Sequence, residues 1–305
     1  MPSGNPFFCK SCVYIKATWK LILKEQEDKH AKVFGGEVHS DLWGPAPVES
    51  KGGKHYYITF TDNRICLTNL YFLVKKSNAF ESYKDYEAWC NTQLNTKVKI
   101  LHSDWGGEYL GQEFILYLNS KDMKQKLTMH NTPQQNGVAE RQNWTIVECV
   151  QALLYASGLP KSLWGEVAQH VAWLMNHTLT KAVTGWTSYE EAFGKKPDLW
   201  EVREWGEKMW VHVKEGNKLG GRVCKGRWMG HNKQSKGIHV YWPDKWKVSI
   251  KRNIYVDKTG ASNSHFKREV WDGFIETKLD ESITQNSTSK DFQTFFIIWY
   301  TICPG

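Results

Sequence analysis

Glu37-Val38-His39-Ser40-Asp41-Leu42-Trp43-Gly44-Pro45 is the stretch from which the fold is read. Glu37 to Leu42 has the texture of a strand, and Gly44-Pro45 stops it. Outward from it, Tyr56 to Thr61 and Leu67 to Val74 are two more strands, rich in β-branched and aromatic residues. The Gly52-Gly53 turn and the short Asp62–Cys66 segment make the three an antiparallel meander. Ser77 is placed to cap a helix whose stripe is Ala79, Tyr83, Tyr86, Cys90 and Leu94. A fourth strand at Val98–Leu101 leads into His102-Ser103-Asp104-Trp105-Gly106-Gly107. A short helix (Gln112–Asn119) and a fifth strand (Lys126–Met129) follow. The helical crossover lets the fourth strand lie parallel to the first. The expected class is therefore α/β, a mixed sheet with flanking helices.

Beyond it, a long helix is expected from about Asn136 to Ser157, stopped by Gly158 and Pro160. A second runs from Ser162 to His177, and Thr187-x-x-Glu190 fits a capping box. After Pro197 the texture shifts to short alternating runs: Met209–Val213, Arg227–Met229, Ile238–Trp242, Lys247–Ile250 and Asn253–Val256. They predict a small antiparallel barrel-like domain, independently packed, over 205–257. Residues 258–305 read as an irregular tail.

The 305 residues are 41% hydrophobic and 24% charged, which excludes wholesale disorder. No apolar run approaches a membrane span, no export signal opens the chain, and the seven cysteines are odd in number. These features exclude a membrane role and predict a reducing, intracellular setting, nucleus and cytoplasm. The net charge of +8 is concentrated: Lys195 to Lys258 carries 16 basic against 7 acidic residues, and the remainder nearly balances. With Trp205, Trp210, Trp228, Trp242 and Trp246 interleaved, that segment suits a nucleic acid, and its bland alternative is a solvated basic face.

Three carboxylates carry the candidate chemistry. Asp41 lies near the end of the first strand and Asp104 just past the fourth, so parallel pairing brings both to one sheet edge. Glu140 lies in the first turns of the long helix, after 35 intervening residues that return the chain to that edge. Converging carboxylates repel, and hard divalent ions, Mg²⁺ or Mn²⁺, are the usual remedy. Asp62 ends a strand antiparallel to the first and should emerge at the opposite edge. Singly, each residue reads as a turn former or a helix-dipole partner; the case rests on their conjunction.

The first stretch resembles the opening of the integrase catalytic core of copia-type LTR retrotransposons (Pseudoviridae), part of a retrovirus-related Pol polyprotein. So do His102-Ser103-Asp104-Trp105-Gly106-Gly107-Glu108-Tyr109, Thr132-Pro133-Gln134-Gln135-Asn136-Gly137-Val138-Ala139-Glu140-Arg141 and Trp186 to Asp198. The resemblance covers roughly residues 7–257. It implies an RNase H-like core over 37–200 in which Asp41, Asp104 and Glu140 hold two Mg²⁺ (or Mn²⁺) ions. The activity implied is that of a DDE-type polynucleotidyl transferase and endonuclease, trimming the 3′ ends of element DNA and joining them to target DNA. Candidate nucleic-acid contacts are Gln135, Asn136, Arg141, Lys225, Arg227, Lys247, Lys251 and Arg252; the expected partners are element-end and target DNA, RNA as a further candidate, and other copies of the chain.

Cys9-x-x-Cys12 resembles the second half of the family's zinc module, in residues 1–36. The histidine pair that should precede it is absent, while His30 and His39 lie on the wrong side, so no bound zinc is expected. Other departures are Ile65-Cys66, where the family carries Ser-Arg, and Trp144, where a basic residue usually follows Asn143. Together with the unmatched tail they suggest a truncated genomic copy. Two alternatives stand beside the integrase reading: a weak or inactive remnant that still binds nucleic acid, and an RNase H-like nuclease that cuts without joining.

Overall fold

The computed structural model describes residues 31–128, 137–180, 183, 185–199, 202–212, 222–232, 235 and 237–255. The 1–36 module up to residue 30, with Cys9 and Cys12, and the tail lie outside them, as do Gln135 and Asn136.

Five strands form the first sheet: β1 (Val38–Trp43), β2 (Tyr56–Asp62), β3 (Thr68–Leu73), β4 (Ile100–Ser103) and β5 (Lys124–Leu127). Their order is β3-β2-β1-β4-β5. The β1–β2 and β2–β3 pairs are antiparallel, while β1–β4 and β4–β5 are parallel. That order and those directions make the domain RNase H-like. The fifth strand begins two residues earlier than expected. Its hydrogen bonds to β4 start at Lys124, whose N–H donates to Lys99 O.

Alternation along β2 shows how the sheet is covered. Ile58 and Phe60 are buried on one side against Tyr83 and Tyr86 of helix α1 (Ala79–Leu94), with Phe114 and Leu118 of helix α2 (Gln112–Ser120) in the same cluster. Tyr57 lies on the other side, in a cluster with Ile146 of α3 (Gly137–Ser157) and Val167 and Val171 of α4 (Trp164–His177). Each such side chain contributes roughly 1.5–3 kcal/mol of burial free energy. Helix α1 starts at Ala79 rather than behind Ser77, because Lys76–Asn78 forms a 3-10 turn first. The predicted capping box opens α5 (Ser188–Phe193): Glu190 N donates to Thr187 Oγ1, and Thr187 N to Glu190 Oε2, both at 3.0 Å. Gly44 ends β1 at φ 128°, where an added Cβ would lie 2.6 Å from Tyr56 Cδ1, so only glycine fits that stop.

The second sheet, in the order β10-β6-β7-β8-β9, is wholly antiparallel: β6 (Lys208–His212), β7 (Val223–His231), β8 (Ile238–Trp242), β9 (Lys247–Lys251) and β10 (Ile254–Tyr255). It differs from the expectation in one respect: it is not packed independently. Trp205, Met209, Trp228 and Val240 share one apolar cluster with Val167, Ala168 and Val171 of α4. His239 Nδ1 also lies 2.8 Å from Glu166 Oε2 on that helix. Helix α4 thus supplies part of the core against which these five short strands pack. Among the described residues, no helix is long and apolar enough to cross a membrane.

Candidate active site

Parallel pairing of β1 with β4 sets His39 opposite His102. Two residues further along each chain come Asp41, in the carboxyl half of β1, and Asp104, just past the end of β4. Glu140 occupies the first turn of α3 and is exposed. Helix α3 packs against β1, with Ala139, Asn143 and Ile146 buried, and carries Glu140 on its first turn.

The local backbone orients the first two. Asp41 Oδ1 accepts from Leu42 N at 2.9 Å, and Thr59 Oγ1 donates to the Asp41 carbonyl at 3.3 Å. Asp104 Oδ1 accepts from Gly106 N at 3.0 Å, which shapes the turn after β4. Trp105 Nε1 donates to Thr128 O and ties that turn to the segment following β5. Below Asp41, Ser40 Oγ and the Tyr109 hydroxyl share a buried hydrogen bond of 2.8 Å.

Burial and charge act together on Asp41. Its carboxyl is pushed up to about 6, first by burial and then by the charges of Asp104 and Glu140, against the opposing hydrogen bonds of Asn143 and Leu42. Two like charges raise it, and the groups that lower it are neutral amides. Clustered carboxylate oxygens of this kind are the donor set that a hard divalent ion fits.

Asn143 is the residue that sequence reading passed over as a ligand neighbour. Its Nδ2 donates to Asp41 Oδ2 at 2.7 Å, and it is 5% exposed. The signal was its place three residues after Glu140, on the face of α3 that meets β1.

Asp62 behaves as predicted for a carboxylate of the opposite edge. It pairs in register with Val38 at the start of β1. Its oxygens accept from Gly35 N at 2.8 Å and from Arg64 N and Ile65 N at 3.0 Å.

The candidate nucleic-acid residues divide. Arg141 is exposed on α3, next to Glu140. Lys225, Lys247 and Arg252 are exposed, and Lys251 is half-buried. Arg227 is engaged structurally, its Nη1 donating to Gly206 O at 3.0 Å. Trp205, Trp228 and Trp242 are core residues, while Trp210 and Trp246 are 40% and 61% exposed. Each exposed ring carries a lysine: Lys225 Nζ lies 5.2 Å from the Trp210 centroid, and Lys51 Nζ 4.6 Å from that of Trp246.

Residues 207–268 match the family model of the retroviral polymerase SH3-like domain. Over 267 residues, 84% of its length, the chain is 30% identical to the retrovirus-related Pol polyprotein from transposon TNT 1-94 of Nicotiana tabacum, and it covers 20% of that polyprotein. It is 25% identical over 235 residues to the retrovirus-related Pol polyprotein from transposon RE2 of Arabidopsis thaliana, covering 76% of this chain and 16% of that one. The chain thus spans a fifth or less of the length of these relatives. Among solved structures it is similar to a chain of the simian T-cell lymphotropic virus intasome in complex with PP2A regulatory subunit B56 gamma, with 15% identity, TM-score 0.43, and coverage of 72% of this chain and 77% of that one. It is also similar to the HTLV-2 integrase catalytic core domain in complex with magnesium, with 18% identity, TM-score 0.40, and coverage of 53% and 99%.

Proposed function

Because the chain is a retrotransposon integrase region related to plant transposon Pol polyproteins, we propose that it processes and joins DNA ends with divalent metal held by Asp41, Asp104 and Glu140. The observation that supports this reading is that Asp41 and Asp104 follow the paired His39 and His102 on two parallel strands, with the charges of Asp104 and of Glu140, on the first turn of α3, both acting on Asp41. Mg²⁺, when bound there, supplies Lewis acidity toward a phosphodiester and lowers the barrier to forming an oxygen nucleophile.

The chain's own contributions are positional. Burial and the Leu42 and Asn143 hydrogen bonds fix Asp41 in one orientation, so its oxygens need little reorganisation when charge arrives. The Gly106 N–H holds Asp104. Glu140 stands exposed on the first helical turn and remains accessible to a DNA end. Lys225 on Trp210 and Lys51 on Trp246 offer charge and a ring face to a phosphate backbone approaching the second sheet. DNA ends, target DNA and association of several copies are the partners this reading requires.

The test is a strand-transfer assay with a labelled oligonucleotide carrying element ends, in Mg²⁺, with the wild-type chain and Glu140→Gln. Joined products from wild type and none from the variant support the proposal. Cleavage without joining assigns a nuclease instead. No reaction from wild type leaves the nucleic-acid-binding remnant.

A further inference from the structure

We propose that Trp144 is a stacking platform for a nucleobase of the DNA end that reacts at Asp41, Asp104 and Glu140. The assignment rests on the function proposed above and adds to it a group that holds a base rather than a phosphate. Trp144 is 71% exposed, the most exposed tryptophan among the described residues. Apolar side chains exposed singly are common, so its position decides. It lies four residues after Glu140 on α3 and directly after Asn143, whose Nδ2 donates to Asp41 Oδ2 at 2.7 Å. Residues four apart share a helix face, and helical side chains lean towards the preceding turn. The Trp144 ring therefore covers the surface beside Glu140.

Charge along that stripe selects the base over the backbone. Glu140 stands one turn before Trp144, and half-buried Glu148 one turn after it. A ring between two carboxylates is a poor seat for a phosphate, and the uncharged face of a base carries no such penalty. The exposed rings of the second sheet differ, since Trp210 lies under Lys225 and Trp246 under Lys51. Among the described residues no lysine or arginine lies over Trp144.

The spacing fits a nucleotide near the reaction. Four helical residues rise about 6 Å, and successive nucleotides of a strand are about 3.4 Å apart. With a phosphodiester at Glu140, the ring meets the base one or two nucleotides away. Arg141, exposed and three residues before Trp144, supplies a phosphate contact on the flank of the same face. An unpaired base offers its whole face to the indole, so the platform favours a DNA end whose last nucleotides are open.

The experiment uses the full chain and a duplex with two unpaired nucleotides at its 3′ end, in Ca²⁺ so that binding is read without turnover. Any sequence serves, because stacking on an aromatic ring tolerates every base. With 5-iodouracil at either unpaired position, irradiation should crosslink the DNA to the peptide that holds Trp144. Trp144→Ala should weaken binding roughly 5- to 150-fold, the range of one lost base stack, and Trp144→Phe should keep most of the affinity. A duplex closed by hairpins at both ends should bind wild type and Trp144→Ala alike. The slope of log affinity against log salt should also match between the two, because an indole neutralises no phosphate. Crosslinks confined to other peptides, equal affinity of wild type and Trp144→Ala for the open end, or a slope changed by Trp144→Ala would each overturn the assignment and leave the proposed function standing. A wild-type chain that binds neither duplex overturns both.

Discussion

Asp41 and Asp62 occupy opposite ends of the β1–β2 pair, and burial raises both carboxyls above their usual range. Their surroundings differ in kind. Asp62 faces three backbone N–H groups and the charge of Arg64, so the chain's own donors oppose its burial. Asp41 faces one backbone N–H, one amide and two further carboxylates. A carboxylate surrounded by donors is part of the architecture. One grouped with other carboxylates is a place where charge from outside the chain is welcome.

The sharpest way to break this comparison is activity. Asp41→Asn should lower metal-dependent strand transfer by about 10³-fold or more, since removing a ligand of a catalytic metal removes several kcal/mol of transition-state stabilisation. Activity within tenfold of wild type would mean that the two aspartates are alike after all.

Stability should move in opposite directions at the two ends. At Asp62 an amide has one acceptor oxygen where the carboxylate has two, so Asp62→Asn leaves the Gly35 N–H facing another donor. A loss of about 2 kcal/mol in chemical denaturation is expected. Asp41→Asn should instead stabilise the metal-free chain. Asn143 Oδ1 is buried without a partner, and a flip of that amide would present it to the new NH₂ group. The folded carboxyl titrates near 6 against an ordinary value of 3.8. The wild-type chain therefore carries no penalty from this group below about pH 3.8, one that grows as pH rises from there to about 6, and a constant one, on the order of 3 kcal/mol, above that. The gain from Asp41→Asn should be present at about pH 8 and absent at about pH 3.5, as read from unfolding midpoints in chelator. A gain that is the same at both pH values would point to packing rather than charge.

Asn143→Ala tests the amide between the two. It removes the donor to Asp41 Oδ2 but no ligand, and outer-layer losses of this kind cost about 10–100-fold in metal affinity. The Mg²⁺ concentration for half-maximal strand transfer should rise by that factor, with saturating activity less affected.

The smallest effect is expected far from either aspartate. Because the second sheet shares its core with α4, deleting residues 205–257 would strip Val167 and Val171 of their cover. Charge removal is the cleaner change. Replacing Lys225, Lys247, Lys251 and Arg252 by Gln should flatten the slope of log affinity against log salt for duplex DNA, by roughly 0.9 for each phosphate no longer neutralised. An unchanged slope would identify these residues as a solvated face.

Much of this was legible in the chain itself. Strand alternation, the Gly44-Pro45 stop, the α1 stripe and the Thr187–Glu190 capping box are local, and each follows from side-chain periodicity or from a hydrogen bond spanning three residues. The meander and one helical crossover then determined which strands run parallel, and so which edge Asp41 and Asp104 share. Other features had no local signal. The first strand's histidine was read only against the cysteines upstream, yet pairing with β4 sets it against His102 and Glu37. Asn143 became a partner of Asp41 only through the packing of α3 on β1. The second sheet reads as a domain of its own because its strands alternate like one, and only the apolar cluster it shares with α4 shows that it is not packed alone. Periodicity records which face of an element is apolar. It does not record which other element covers that face, and this the tertiary structure decided.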